Sequence, residues 1–352
     1  METIVAKVRL DRPDAAEIIQ KAAEILQAGG LVAFPTETVY GLGGNGLDAE
    51  ACKKIYLAKG RPSDNPLILH ISELSELSPI VREISEKAKL VMDAFWPGPL
   101  TLVFRKADIV PAQATGGLDT VAVRFPNHPV ARALIRAAGL PIAAPSANSS
   151  GKPSPTRASH VEYDLSGKIE MILDGGAAEW GLESTILDVS GDVPVILRPG
   201  AVTKEMLEQV VGEVLVDPAI LSKPSETVRP KAPGMKYTHY SPKAEVTLVK
   251  GGRKAVADTI NRLTAADKTA GKKTGVLATD ETRTLYHADV ILSLGSRDDP
   301  EEIGANLFKY LRKCDFLGVE KVYSEVFSEE GEGMAIMNRL NKAAGYRTIE
   351  AE

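Results

Sequence analysis

Two cationic side chains, Lys59 and Arg61, lie on either side of Gly60 at a point where the sequence predicts that a helix ends. The preceding residues 48–58 carry apolar side chains at helical spacing, and Asp48 is placed to cap the first turn. Gly60 ends this helix and the two prolines that follow prevent its return, so both cations should be held on a stiff connection. A fixed arginine fork beside a lysine suits an anion with several oxygens, such as phosphate. A solvated pair that offsets the dipole at a helix end would explain the same spacing.

Two further segments place hydroxyl groups directly after predicted strands. A strand at 31–34 leads into residues 35–43, Pro-Thr-Glu-Thr-Val-Tyr-Gly-Leu-Gly, and a strand at 140–144 opens into residues 145–154, which contain four serines, an asparagine and a glycine. Donor groups and glycines in these places are what a ligand-facing turn needs. An ordinary connection between elements is the alternative for each of them.

The elements that would position these residues divide the chain in two. Residues 1–216 show strands and helices with several short turns, which is typical of an α/β domain whose sheet is not purely parallel. Residues 217–242 contain five prolines and no sustained periodicity, and we expect an extended linker that can reach back over the first domain. Residues 243–352 alternate strand and helix regularly, which predicts a smaller doubly wound, Rossmann-like α/β/α domain.

Composition limits the classes of function. The 352 residues are 44% hydrophobic and 25% charged. The formal net charge of −5 gives the chain as a whole no electrostatic attraction to nucleic acid. The two cysteines suggest no disulfide framework, and Cys52 lies on the apolar stripe of its helix, where packing is expected. No apolar run is long enough for a membrane span and no signal peptide is recognisable, which predicts a cytoplasmic protein without membrane contact. Neither a P-loop nor a dinucleotide fingerprint is present, and no Cys/His cluster has metal spacing.

The combination of Lys59-Gly60-Arg61, Ser146-Ala147-Asn148 and the 35–43 segment, in this order, resembles the signature of the YrdC-type family. The Pro-Gly-Met-Lys-Tyr-Thr-His-Tyr-Ser-Pro sequence at 233–242 and the end of the C-terminal domain extend the resemblance over essentially the whole chain. The long, two-domain members of that family are threonylcarbamoyl-AMP synthases. The resemblance implies a YrdC-type twisted mixed sheet in the first domain. It also implies a reaction that joins L-threonine, bicarbonate and ATP and releases pyrophosphate.

Site residues follow from the resemblance position by position. The residues implied to surround the nucleotide and its phosphates are Lys59, Arg61, Asn65, Thr120, Ser146, Asn148, Ser154 and Arg198. Four of them, Lys59, Arg61, Ser146 and Asn148, are implied to be catalytic. Those implied to hold L-threonine are Thr38, His70, Arg124, the backbone at Ala144, and Ser184. Tyr237 in the linker would close the site over ATP. Mg²⁺ would accompany ATP without a dedicated protein ligand, and the product would pass to the tRNA threonylcarbamoyltransferase complex for modification of tRNAs that read ANN codons.

Two other functions compete with this interpretation. A YrdC-like domain can present a basic concave face to RNA, although the acidic balance of this chain speaks against it. Carbamoyl-adenylate chemistry on a different acceptor is the second, because related domains occur in carbamoyltransferases.

Overall fold

The computed structural model describes residues 2–220, 230–233 and 240–351. They form two compact units. The first comprises residues 2–150, 154–179, 183–220 and 230–233, and the second comprises residues 151–153, 180–182 and 240–351. Two short segments that precede residue 183 in the chain thus belong to the second unit.

A mixed sheet of eleven strands runs through the described part of the first unit. In chain order its strands are β1 (Ile4–Lys7), β2 (Val32–Phe34), β3 (Gly41–Asn45), β4 (Ile68–His70), β5 (Leu100–Arg105), β6 (Thr120–Arg124), β7 (Ile142–Ala143), β8 (Met171–Asp174), β9 (Thr185–Asp188), β10 (Val195–Arg198) and β11 (Leu215–Val216). Across the sheet they follow the order β1-β8-β2-β3-β7-β4-β6-β5-β9-β10-β11. Strand β6 runs parallel to β4 and antiparallel to β5, so the sheet is mixed, as the sequence predicted.

Helices cover this sheet unevenly. They are α1 (Ala15–Gln27), α2 (Ala49–Lys59), α3 (Glu86–Phe95), α4 (Pro129–Ala138), α5 (Ala158–Leu165) and α6 (Lys204–Val211). Helices α2, α3, α5 and α6 contribute to the larger core cluster with Leu69, Leu102 and Val123, whereas α1 and α4 pack on the opposite face around Val32 and Leu173. Helix α1 is amphipathic and buries residues at helical spacing, which is why its sequence could be recognised.

On β4, β5, β6 and β9, the face that points away from the larger cluster carries a small apolar cluster of its own. Ile68, Val103, Ala122 and Ile186 form it together with Leu197 and Ala232. Its members come from strands and, for Ala232, from the segment 230–233. Because side chains alternate along a strand, His70 and Arg124 lie on this same face, two residues beyond Ile68 and Ala122. This face is the floor on which the candidate site is built.

The second unit is a parallel sheet of five strands with helices on both faces. Its strands are β12 (Glu245–Lys250), β13 (Thr274–Ala278), β14 (Val290–Ser293), β15 (Lys321–Glu325) and β16 (Thr348–Glu350), in the order β14-β13-β15-β12-β16. Its helices are α7 (Arg253–Thr269), α8 (Pro300–Phe316) and α9 (Gly333–Ala343). The parallel pairing of all five strands confirms the doubly wound, Rossmann-like architecture that the alternating pattern predicted.

The segment 35–43 differs from its prediction. It was expected to be irregular, either a ligand-facing turn or an ordinary connection, but residues 41–45 form β3 between β2 and β7. The glycines serve close packing within the sheet, since a Cβ on Gly43 would approach the Phe34 ring to 2.9 Å and the Ile142 side chain to 2.8 Å. The turn proper is therefore limited to residues 35–40.

Candidate active site

Lys59 ends α2 and points into the fold. Asp48 caps the start of this helix by accepting from the Glu50 N–H at 2.9 Å, and Gly60 ends it in the left-handed conformation, with φ +62°. The Lys59 side chain is 4% exposed, and its Nζ donates to the carbonyl of Ser146 and to that of Asn148 at 2.6 Å. A solvated cation at a helix end is therefore the wrong description of Lys59. The ammonium holds the 146–148 loop against the end of α2.

Within that loop the polar side chains bind one another. The Ser146 hydroxyl donates to Oδ1 of Asn148 at 2.6 Å, and Lys59 Nζ lies 3.4 Å from the same oxygen. The amide nitrogen of Asn148 donates to the Ser149 carbonyl at 2.9 Å. The Lys-x-Arg and Ser-x-Asn motifs are thus brought together in space, although 87 residues separate Lys59 from Ser146.

Arg61 is half-buried and held by its own loop. Its Nε donates to the Asn65 carbonyl at 3.2 Å and its Nη2 to the Pro66 carbonyl at 3.0 Å. Asn65 is 1% exposed, and its Oδ1 is one of three buried side-chain atoms of the described residues that have no hydrogen-bond partner. Burying an amide oxygen without a partner costs about 1–3 kcal/mol, so Oδ1 of Asn65 is expected to accept a hydrogen bond from a ligand.

Arg124 organises the opposite end of the site. Its guanidinium is buried and donates through Nη2 to Oε1 of Glu37 at 2.6 Å, through Nη1 to Oγ1 of Thr38 at 2.8 Å, and through Nε to the Gly98 carbonyl at 3.4 Å. The turn that supplies Glu37 and Thr38 is shaped by Thr36, whose hydroxyl donates to the Val39 carbonyl at 2.6 Å. In this structure the arginine fork is occupied by the 35–40 turn.

Sequence reasoning missed Glu37. It is 6% exposed, and its Oε2 is another of the three buried atoms without a partner among the described residues. The signal was present, since Glu37 stands between two threonines directly after a buried strand. A buried carboxylate with one free oxygen can accept a hydrogen bond from an ammonium or hydroxyl group.

His70 is uncharged at neutral pH. It is fully buried, and this burial, reinforced by the nearby Arg124, lowers its pKa to about 3. Its Nδ1 lies 3.1 Å from the Ile68 carbonyl, and its ring meets Phe34 edge-on at 6.2 Å. His70 therefore supplies shape and neutral hydrogen bonding to this end of the site.

Ser184 and Arg198 meet beside the same face of the sheet. The Ser184 hydroxyl lies 2.8 Å from the hydroxyl of Thr101, which pairs with Arg124 across β5 and β6. Arg198 is buried and donates to the carbonyl and hydroxyl of Ser184 at 3.0 and 3.1 Å. The site thus contains two buried arginines, Arg124 and Arg198.

Two further predicted residues are engaged by the fold. The Ser154 hydroxyl donates to Glu183, which is buried. The N–H of Ala144 donates to the Ile68 carbonyl at 2.8 Å, which leaves the Ala144 carbonyl as the backbone group that can accept from a ligand.

Strand β6 joins the two ends of the site. Thr120 begins it and Arg124 ends it, and both lie on one face because they are four residues apart. Strand β4, which pairs with β6 from Ile68 and Ala122 onward, follows directly on the loop in which the Pro66 carbonyl accepts from Arg61. At about 3.3 Å per residue the two ends are about 13 Å apart.

One segment of the linker, residues 230–233, reaches the floor of the site. Ala232 is fully buried in the small cluster with Ile68 and Ala122. At the other end of the linker, Tyr240 is buried within the second unit and stacks on Phe308 with ring centroids 5.0 Å apart. Tyr237, predicted to close the site, lies outside the described residues.

The described residues contain neither a metal-ligand cluster nor a membrane-spanning helix. In residues 2–220, 230–233 and 240–351, no group of three acidic, histidine or cysteine side chains is arranged to hold a metal ion. None of the helices described for this chain is both long and apolar enough to cross a membrane.

Comparison with known proteins then assigns the family. A family model described as "Telomere recombination" matches residues 24–200, and one described as "Threonylcarbamoyl-AMP synthase, C-terminal domain" matches residues 202–345. The threonylcarbamoyl-AMP synthase of Pyrococcus abyssi is 52% identical over 94% of this chain and 95% of its own length. The chain belongs to the threonylcarbamoyl-AMP synthase family. The synthase of Bacillus subtilis is 50% identical over 94% of each chain.

A solved structure of the same family gives the same architecture. The crystal structure of Pyrococcus abyssi Sua5 complexed with L-threonine has a TM-score of 0.93 and 50% identity to this chain, and covers 99% of this chain and 100% of that one. The resemblance to the long, two-domain form and the two-domain α/β fold are confirmed. The site residues carried over by position stay predictions.

Proposed function

We propose that the first unit forms threonylcarbamoyl-AMP and pyrophosphate from L-threonine, bicarbonate and ATP. Enzymes of this family use ATP to make an adenylate, and this chain is such a nucleotidyltransferase. The observation that carries the assignment of the site is strand β6. One of its ends lies beside the buried Arg124–Glu37 pair, and its partner strand β4 begins directly after the loop that holds Arg61 and Asn65. This arrangement supports a subsite for an amino acid at the Arg124 end and a subsite for an anion near Arg61.

L-Threonine is proposed to bind at the Arg124 end, with Thr38, His70, the Ala144 carbonyl and Ser184 around it. Its carboxylate would accept hydrogen bonds from the Arg124 guanidinium, which now donates to the Thr38 hydroxyl. Its amine would lie against Oε2 of Glu37, the buried carboxylate oxygen that has no partner among the described residues. Glu37 then completes the set that the resemblance implied and fixes where the nucleophilic amine points.

The reaction itself needs position more than a strong base. The neutral threonine amine, formed by loss of a proton from its ammonium form, takes up the carbon of bicarbonate as a carbamate, and water is released. A carbamate oxygen then attacks the α-phosphorus of ATP, and pyrophosphate leaves. Negative charge gathers at the phosphorus, where positioned donors stabilise it. We propose that Arg61, Asn65, Thr120, Ser154 and Arg198 supply these donors, with Ser146 and Asn148. Lys59 would act by holding the 146–148 loop in place. To contact a phosphate, its Nζ would have to share a hydrogen bond that it now donates to the Ser146 or Asn148 carbonyl.

Mg²⁺ is proposed to enter with ATP. The described residues offer no ligand cluster for it, so phosphate oxygens and water would be its ligands and no step is assigned to the protein through the ion. The linker is proposed to shield the carbamate and the adenylate from water, since Ala232 already lies on the floor of the site and Tyr237 follows five residues later.

Outside the active site, we propose that the protein works in the cytoplasm and passes its product to the tRNA threonylcarbamoyltransferase complex. Contact with tRNA is not required for this transfer.

The deciding experiment is pyrophosphate release with each of the three substrates withheld in turn. Activity without added threonine would mean that another acceptor is carbamoylated and would contradict the proposal. Arg61→Ala should lower the rate by about 10²–10³, because it removes a donor from the transition state. Arg82→Ala, which removes an exposed arginine of the same unit paired to Asp108, is the control and should leave the rate unchanged.

A further inference from the structure

A cavity of about 180 Å³ lies in the second unit, well separated in the chain from the residues assigned above. It is lined by three valines, two arginines and a glutamate: Val249, Val256, Val326, Arg253, Arg297 and Glu325. Val249 and Glu325 are neighbours across β12 and β15, near the carboxyl ends of both strands. The cavity therefore opens where parallel strands of a doubly wound sheet usually present a ligand site.

The strand order makes this place a switch point. From β12 the chain passes through α7 to β13 on one side, whereas from β15 it passes through α9 to β16 on the other. Because such crossovers are right-handed, α7 and α9 lie on opposite faces of the sheet. The connections that leave the adjacent strands β12 and β15 therefore turn toward opposite faces. The gap between them is the crevice in which open α/β sheets bind ligands.

One wall of the cavity is already neutral. Glu325 is 3% exposed and accepts hydrogen bonds from Arg297, from Thr282 and from the Tyr286 hydroxyl, the last at 2.6 Å. Arg297 also donates to the Val326 carbonyl at 3.0 Å. This wall has fixed hydrogen-bonded geometry and little charge left for a ligand.

The other wall keeps its positive charge. Arg253 is the first residue of α7, and no described residue offers its exposed guanidinium a hydrogen bond or ion pair. Gly252 precedes it as the N-cap without a side-chain cap, so the N–H groups of the first turn of this 17-residue helix are left to solvent or ligand. The dipole of the helix adds to the charge of Arg253 at the same place.

We propose that this cavity binds a small phosphate monoester. The phosphate would accept from the Arg253 fork and from the N–H groups that follow Gly252, more donors than the two oxygens of a carboxylate can use. A short aliphatic body would lie against Val249, Val256 and Val326. The volume is below that of a site for a drug-sized molecule, so a ligand smaller than a nucleotide matches it best. The inference concerns the second unit alone and stands apart from the proposed function.

Calorimetric titration of the full chain with propyl phosphate and with inorganic phosphate tests the site. Propyl phosphate should bind more tightly than inorganic phosphate, because the three valines bury its propyl group. Arg253→Ala should weaken its binding at least tenfold. Arg262→Ala removes an exposed arginine nine residues further along the same helix and should change the dissociation constant less than twofold.

Two other variants keep the test independent of folding. Gly252 has extended backbone angles, φ −67° and ψ 146°, and open space where a Cβ would lie, so Gly252→Asp can cap α7 with its own carboxylate. This variant should keep or raise the melting temperature and yet lose propyl phosphate binding. Val326→Phe, at a half-buried position of the wall, should remove the preference for propyl phosphate over inorganic phosphate.

Each contrary result overturns the proposal. Binding that survives Arg253→Ala or Gly252→Asp unchanged would lie elsewhere in the chain. Butyrate binding as tight as that of propyl phosphate would show a carboxylate site instead. No detectable binding of either phosphate to the wild-type chain at millimolar concentration would show that the cavity takes no such ligand.

Discussion

The guanidinium of Arg124 lies 2.6 Å from Oε1 of Glu37, and the second oxygen of that carboxylate has no partner among the described residues. Both side chains are buried, so the ion pair is well shielded from solvent. The pair is half of an arrangement that a zwitterionic ligand would complete, with its carboxylate at the arginine and its amine at the glutamate.

Glu37→Gln should therefore raise the KM for L-threonine about tenfold or more, which corresponds to the loss of one charged hydrogen bond of about 1.5–3 kcal/mol. The KM for ATP should change little. Steady-state pyrophosphate release at varied threonine and ATP separates the two effects. Glu86→Gln is the control: this carboxylate is exposed on α3 and paired to Lys89. Equal rises in both KM values would contradict a specific role in threonine binding.

Lys59→Met should lower kcat by about 10²–10³, as the loss of a preorganised group at a transition state does. It leaves the carbonyls of Ser146 and Asn148 without their cation and loosens the loop. Amide hydrogen exchange should quicken at Ser150, whose N–H donates to the Lys59 carbonyl at 2.9 Å. Lys53→Met, on the same helix but exposed and paired to Glu50, should change neither quantity. An inactive variant with an unchanged loop would mean that Lys59 acts directly on the phosphates.

The buried His70 makes stability depend on pH. Its pKa is about 3 in the folded chain and about 6.5 when unfolded, so below pH 6.5 the unfolded state binds a proton that the folded state does not. The contribution of His70 is complete above pH 6.5 and is lost as pH falls, by up to about 1.4 kcal/mol per unit until pH 3. Urea unfolding between pH 5 and 7 should show a flatter dependence for His70→Asn than for the wild-type chain. Identical slopes would mean that the imidazole is not buried in its neutral form.

Ala232 tests the role of the linker. Ala232→Glu places a charge against Ile68 and Ala122 and should detach the linker from the floor of the site. We expect lower kcat and faster proteolysis between residues 217 and 242, with the first unit still folded by circular dichroism. Lys231→Ala changes an exposed neighbour and serves as the control. Full activity in a variant whose linker is cleaved faster would rule out the lid role.

Periodic elements were predictable from sequence, and glycine-rich ones were not. Helix α2 carries apolar side chains at regular spacing and was placed to within one residue. Strand β3 was taken for a turn because four of the six residues along 41–46 are glycines, whose use is to let Phe34, Ile55 and Leu69 approach closely. That reason exists only in the packed sheet.

The site was predictable in its parts but not in its connections. Lys59, Ser146 and Asn148 were recognised by their motifs, yet that the lysine binds the backbone of the loop depends on tertiary contacts alone. Glu37 was overlooked because a carboxylate in a polar turn is usually solvated, and only its burial beside Arg124 makes it exceptional.

Strand β6 has a consequence for engineering. Its five residues fix the distance between Thr120 and Arg124 at about 13 Å, because the extended backbone rather than side-chain packing sets this separation. At such a separation the free-energy effects of substitutions are nearly additive. With threonine and nucleotide bound as proposed, substitutions at Arg124 and at Thr120 should therefore change the two affinities almost independently, whereas Arg198, which donates to Ser184, couples the two ends.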